Sequence, residues 1–107
     1  MTEQQIIETL ATKVMGWKDV IGAWNTGDDI INYGEWNPLQ NTTNAWQVVE
    51  KLEDQGYGVE TYSQKNVNPD RDPIRTVTLY TKEGFFGHTT GANIQEAICN
   101  AALETVA

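Results

Sequence analysis

The chain has 107 residues, 39% of them hydrophobic and 21% charged, and a formal net charge of −8. This size and composition predict one globular domain spanning residues 1–107. The acidic balance argues against non-specific nucleic-acid binding and against an anionic membrane surface, because both need a basic face. The single cysteine, Cys99, has no partner for an internal disulfide, and no apolar run is long enough to span a bilayer. We therefore expect a soluble protein of a reducing cytoplasm.

The first predicted helix runs from about Thr2 to Met15. Thr2 is a suitable N-cap, and Gln5, three residues later, completes a capping-box pattern. Gly16 follows as the C-terminal stop, because glycine adopts the left-handed conformation without steric cost. The apolar residues at helical spacing are Ile6, Ile7, Leu10, Ala11 and Val14.

The stretch from Trp17 to Gln40 combines three glycines with bulky residues that are typical of strands. It is predicted to form a loop and then a strand near Ile30 to Glu35, with Trp36 at its end. Asn37-Pro38 breaks the pattern.

The second predicted helix is capped by Asn41 or Thr42 and runs to about Asp54, with Gly56 as its stop. Its predicted buried face consists of Ala45, Trp46, Val48, Val49 and Leu52.

Three strands are predicted in the second half of the chain. Gly58 to Gln64 alternates and is rich in β-favouring residues, and Ile74 to Thr81 alternates again. The prolines and amide or carboxylate side chains of Lys65 to Pro73 predict an exposed loop between them. After a turn, Phe85 to Thr89 is a short returning strand.

The last predicted helix begins at the cap Asn93, with Glu96 as its capping-box partner. Its apolar face is made mostly of small residues, which let a helix lie close to a sheet: Ile94, Ala97, Ile98, Ala101, Ala102 and Val106. The element order predicts an α+β fold in which three helices cover a small, mostly antiparallel sheet.

Several of these segments together resemble the phage ABA sandwich family of small bacteriophage and prophage proteins. The resemblance is carried by Lys13–Trp17, Ala45–Leu52, Gly56-Tyr57 and Ala97–Leu103. It covers nearly the whole chain and implies an α/β/α (ABA) sandwich with a phage or prophage origin. It carries no catalytic residues onto this sequence.

The sequence shows no constellation that indicates a particular catalytic activity. His88 beside Thr89 and Thr90 is the one cluster in which a nucleophile could meet a base, and it lacks a nucleophile elbow or a papain-like motif. One histidine and one cysteine are too few for a zinc site. No metal and no cofactor are predicted.

The four tryptophans allow two interpretations. Trp46 has helical spacing and is predicted to lie in the core. The others either seal the edges of the sheet or form an aromatic pocket that stacks a planar ligand such as a nucleobase. That pocket would lie beside the strand of Arg75, with Lys18, Arg75 and threonine hydroxyls as polar or phosphate contacts. The candidate ligand-binding residues are Trp17, Trp24, Trp36, Arg75, His88, Thr89 and Thr90.

These observations favour a non-enzymatic binding protein of a phage or prophage that works in the host cytoplasm. Its partner would be a small nucleotide-like host signal or a host protein, as in a counter-defence role. Two alternatives remain: a small nucleotide-processing enzyme with His88 as general acid or base, and a purely protein-binding module. The sequence leaves the oligomeric state open.

Overall fold

The computed structural model describes residues 1–71 and 73–107 and has an α+β architecture. Within these residues it contains three α-helices and two three-stranded antiparallel sheets, where the sequence predicted one sheet. The predicted loop Lys65–Pro73 includes Asp72, which lies outside the described residues. The elements in chain order are α1 (Glu3–Thr9), a π-helical segment (Leu10–Val14), β1 (Lys18–Asp19), β2 (Ala23–Asn25), β3 (Ile30–Asn32), a 3-10 turn (Tyr33–Glu35), α2 (Thr42–Asp54), β4 (Gly58–Gln64), β5 (Ile74–Thr81), β6 (Gly84–Thr90) and α3 (Ile94–Glu104).

The helices begin at the predicted capping residues. At α1, the Gln5 amide donates to Thr2 Oγ1 at 3.2 Å and the Thr2 amide donates to Gln5 Oε1 at 2.8 Å. Asn41 caps α2, and Asn93 caps α3 by accepting a hydrogen bond from the Glu96 amide at 2.8 Å. These bonds satisfy amides that have no partner inside the helix. None of the helices in residues 1–71 and 73–107 has the length and hydrophobicity that crossing a bilayer requires.

The first helix ends in a wider, π-helical turn. The amide of Met15 donates to the carbonyl of Leu10, five residues earlier, at 2.9 Å. Leu10, Ala11 and Val14 are all buried within this segment. The chain then leaves the helix at Gly16, whose φ of +74° is the left-handed conformation predicted for this stop.

The smaller sheet has the order β1-β2-β3 and lies in the irregular stretch of the sequence. Its central strand pairs Trp24 with Asp19 on one side and with Ile31 on the other. The predicted strand near Ile30 to Glu35 is shorter than expected, because residues 33–35 form the 3-10 turn. β1 and β2 were not predicted, since strands of two and three residues are too short for alternation to be visible.

The larger sheet has the order β4-β5-β6 and is covered on one face by α2 and α3. Val77 and Leu79, which the alternation of β5 predicts on the same face, are both buried in the core. The π-helical segment packs against both helices, and β1 packs against the π-helical segment. One hydrophobic cluster therefore joins the helices to residues of both sheets.

Trp46 corrects the predicted core, because it is 41% exposed. The buried stripe of α2 consists of Ala45, Val48, Val49 and Leu52, at the i, i+3, i+4 and i+7 positions. Trp46 lies about 100° around the helix from Ala45, outside this stripe.

Gly91 joins β6 to α3 at a point where there is no room for a side chain. A Cβ added at Gly91 would lie 2.5 Å from the Ala97 amide nitrogen and 3.0 Å from the carbonyl carbon of Glu96. The start of α3 therefore lies directly against this link.

We expect Gly91→Ala to lower the free energy of unfolding by about 1–3 kcal/mol, because the added methyl group overlaps helix backbone. The matched control is Gly34→Ala, since a Cβ at Gly34 meets no atom within 4 Å and its φ is not positive. Urea denaturation of both variants measures the difference. Equal stability of the two variants would show that α3 does not lie this close to Gly91.

Candidate functional site

Two of the predicted ligand-stacking tryptophans lie inside the core. Trp24 and Trp36 are only 2% and 1% exposed. The Trp36 indole donates to Gln47 Oε1 at 2.9 Å, and its ring meets the ring of Trp17 edge-to-face at a centroid distance of 4.7 Å. A ligand could reach the Trp24 or Trp36 ring only if the core opened. The interpretation that tryptophans seal the small sheet therefore describes these two residues.

Trp17 and Arg75 are not brought together. Trp17 is half-buried and lines a shallow groove of about 200 Å³ whose other residues include Glu50 and Asp54 of α2. Arg75 is not among the residues lining that groove, and its guanidinium donates to the carbonyl of Ile74 at 3.3 Å. Trp17 therefore remains beside Trp36, whereas Arg75 lies near the start of β5, where its carbonyl accepts a hydrogen bond from the Gly91 amide, next to Thr90, at 3.2 Å.

His88, Thr89 and Thr90 do share a site, which lies between β6 and α3. Two adjoining concavities, of about 280 Å³ and about 420 Å³, have His88, Thr89 and Glu104 in common. We call them together the β6–α3 groove. Its lining residues are Leu79, Phe86, Gly87, His88, Thr89, Thr90, Asn100, Ala101, Leu103 and Glu104.

A β-bulge brings an aromatic ring to this groove. Leu79 pairs with Gly87 and Tyr80 pairs with Phe85, so Phe86 is an extra residue in β6. Phe86 lines the groove and meets Tyr57 edge-to-face at 5.5 Å, whereas the Phe85 ring meets Tyr80 at 6.4 Å. The neighbouring residues Phe85 and Phe86 therefore contact different rings, and of the two only Phe86 lines the groove.

Sequence reasoning missed Phe86, Asn100 and Glu104 as site residues. The one local signal was Phe85-Phe86 between Gly84 and Gly87, since glycine within a strand often accompanies a bulge. Nothing local indicates that α3 turns Asn100 and Glu104 towards β6.

Several polar groups of the groove are already engaged in hydrogen bonds. Thr89 Oγ1 donates to the carbonyl of Ala97 at 3.0 Å, and Asn100 Nδ2 donates to the carbonyl of Thr90 at 3.1 Å. These bonds fasten β6 to α3. The Thr89 proton is therefore directed at a backbone carbonyl and not at the His88 imidazole.

The charge of the groove is set by Glu104. Its lining contains this carboxylate and neither a lysine nor an arginine. A phosphate group inside the groove would face a like charge without a compensating cation. The groove instead favours groups that donate hydrogen bonds or are neutral.

Cys99 is a buried residue of α3 and does not line the groove. Burial, together with the charge of Glu96, raises the pKa of its thiol from 9.0 to about 12. The thiol is therefore protonated at neutral pH, and this agrees with the prediction of a small core residue. Among the described residues, no group of three or more His, Cys, Asp or Glu side chains is arranged to hold a metal ion.

The family of the chain follows from its similarity to a known domain family. The phage ABA sandwich domain matches residues 8–103. The chain belongs to the phage ABA sandwich domain family. This confirms the resemblance found in the sequence, and with it the ABA sandwich class of an α+β fold.

A phage protein of known crystal structure has the same fold as this ABA sandwich chain. The 2.0 Å crystal structure of a phage protein from Bacillus cereus ATCC 14579 superposes with a TM-score of 0.71 at 26% sequence identity. The match covers 99% of this chain and 88% of that one. No curated protein matches the chain.

We expect the thiol of Cys99 to resist labelling in the folded protein. At pH 8 an aromatic disulfide reagent should react slowly with native protein and rapidly once denaturant unfolds it, because the reactive thiolate is suppressed by burial. Rapid native labelling would show that Cys99 is accessible and ionised.

Cys99 should also contribute to loss of stability in alkali. The unfolded thiol releases its proton near pH 9.0 and the folded thiol near pH 12, so this contribution is complete below pH 9 and is lost as pH rises towards 12. Denaturation at increasing pH measures the loss. Cys99→Ala, as the matched variant, should lose less stability over this range; an identical loss would contradict the assignment.

Proposed function

We propose that this phage-family protein is a non-enzymatic binding protein that acts in the host cytoplasm. Its ligand is a small planar host molecule, the base portion of a nucleotide-type signal, held in the β6–α3 groove. Sequestering such a signal would give the chain a counter-defence role. The observation that carries the proposal is that Phe86 of β6 and the polar residues Asn100 and Glu104 of α3 line one groove.

The dimensions of the groove suit one ring system. Its inner part, of about 280 Å³, is slightly smaller than the pockets of about 300 Å³ and more that enclose drug-sized ligands. Phe86 is 43% exposed, so part of its ring surface is open to a ligand. Stacking on an aromatic ring is available to every nucleobase, because each base has a π-face.

The polar groups of the groove suit the edge of a base better than a phosphate. The Glu104 carboxylate can accept hydrogen bonds from amino or imino groups, and the side-chain carbonyl of Asn100 can accept another. Any phosphate of the ligand would then lie outside the groove, away from Glu104.

The geometry gives less support to a nucleotide-processing enzyme. A nucleophilic mechanism needs a hydroxyl or thiol that is hydrogen-bonded to its base. The Thr89 hydroxyl donates to the Ala97 carbonyl, and the Cys99 thiol is buried outside the groove. Neither the Thr89 hydroxyl nor the Cys99 thiol is therefore placed for activation by His88.

Phe86→Ala should weaken nucleoside binding by about 10-fold, because the variant loses the stacking ring. Calorimetry with adenosine, guanosine, cytidine, thymidine and uridine measures the change in dissociation constant. The matched control is Phe85→Ala, whose ring meets Tyr80 and does not line the groove, so its affinity should equal that of the unaltered protein.

The 5′-monophosphates should bind no more tightly than the nucleosides. Much tighter monophosphate binding, or displacement by inorganic phosphate, would contradict the placement of the base in the groove. Steady turnover of these compounds would contradict a non-enzymatic role. Failure of all five nucleosides, together with no small molecule released from protein purified out of host cells, would contradict the proposal itself.

A further inference from the structure

The turn between β1 and β2 holds an isoleucine in an unfavourable conformation. Ile21 has a φ of +44° and Gly22 a φ of +81°, and the Val20 amide donates to the Ala23 carbonyl at 2.9 Å. Two successive positive φ values are typical of a tight two-residue hairpin turn, in which asparagine, aspartate or glycine is favoured at the first position. A β-branched residue there is strained.

The packing of the fold does not account for this isoleucine. Ile21 is fully exposed, and the neighbouring Val20 is exposed as well. An apolar side chain in water gains nothing from burial that could offset its backbone strain. We define Val20 and Ile21 as the hairpin tip.

Three carboxylates lie near the residues at the base of the hairpin tip. The Tyr33 amide donates to the Gly22 carbonyl at 3.2 Å, which places Tyr33 beside the turn, and its hydroxyl donates to Asp19. The hydrogen bond to Asp19, burial, and the negative charges of Asp19 and Glu8 raise the pKa of Tyr33. Glu35 lies two residues beyond Tyr33, and its carboxylate accepts a hydrogen bond from the side-chain Nδ2 of Asn32 at 3.3 Å.

The cation of β1 is Lys18, which precedes Asp19 and lies two residues before Val20. Lys18 pairs with Asn25, so Asp19 lies between it and the turn. The hairpin tip is therefore an apolar projection whose border holds more carboxylates, namely Asp19, Glu8 and Glu35, than cations.

We propose that the hairpin tip docks into a host protein that offers an apolar pocket bordered by lysine and arginine side chains. Charge complementarity selects this occupant, because the carboxylates of the border attract basic groups around the pocket. An anionic bilayer would be repelled by the same carboxylates, and a second copy of the chain would bring two acidic borders together. This site is separate from the β6–α3 groove and does not depend on the function proposed for it.

Ile21→Asn separates the docking role from a structural role. Asparagine tolerates positive φ, so the variant should raise Tm by roughly 4 °C or more while it weakens partner binding at least 10-fold. The matched control is Val67→Asn, since Val67 is likewise an almost fully exposed apolar residue but lies between β4 and β5. Val67→Asn should leave partner affinity unchanged.

The partner is identified with a photo-crosslinking residue at position 20 in host cells, and the recovered protein is purified for calorimetry. We expect direct binding that weakens when salt rises from about 50 mM to about 300 mM, because screening reduces the attraction between carboxylates and basic groups. Nucleoside binding by Ile21→Asn should be unchanged, so failure of this proposal is distinguishable from failure of the groove.

Any of the following results would overturn the proposal. They are a lower Tm for Ile21→Asn, a partner affinity that Ile21→Asn leaves unchanged, crosslinking only to a second copy of the chain, and the absence of any crosslinked host protein. Sedimentation with phosphatidylglycerol vesicles tests whether the hairpin tip binds an anionic bilayer. Binding to the vesicles would also contradict the proposal of a protein partner.

Discussion

The close packing of α3 is the constraint on which the rest of the structure depends. This helix contacts α2, the π-helical segment, β5 and β6 at the same time. It can do so because its inward face is built from small residues, with Ala97, Cys99, Ala101 and Ala102 all buried. Larger side chains at these positions would hold the surrounding elements apart, and a well-packed interior leaves little space to accommodate them. Gly91 extends the same constraint into the link between β6 and α3.

The groove is a consequence of this packing. The concavity lies where α3 presents Asn100 and Glu104, one turn apart, beside β6. The bonds from Thr89 to Ala97 and from Asn100 to Thr90 fix its two walls relative to each other. Because the bulge at Phe86 then supplies a ring, a rigid scaffold carries a small set of groups suited to a planar ligand.

The negative charge of the chain acts differently at its two proposed sites. In the groove, the lining residues include Glu104 and no lysine or arginine, and this charge disfavours a phosphate. The donor groups on the edge of a base are the better partners for the Glu104 carboxylate. At the hairpin tip, carboxylates border an apolar projection, and this favours a basic protein surface. The formal net charge of −8 is thus compatible with both a small ligand and a protein partner, provided that each presents the complementary chemistry.

The sequence by itself determined the features that depend on neighbouring residues. Capping side chains such as Thr2 and Asn93 act within three residues, and alternation places Val77 and Leu79 on one face of β5, so helix starts and the long strands could be predicted. The family resemblance supplied the sandwich class. Tertiary structure alone decided that the Trp24 and Trp36 rings are buried and Trp46 is exposed, since local pattern does not show which faces meet. It also decided which predicted site residues come together: His88 and Thr89 line one groove with Phe86 and Glu104, whereas Trp17 and Arg75 do not line it. The physical reason is that a groove is formed by side chains distant in sequence, and their approach is fixed by the packing of α3 against β6.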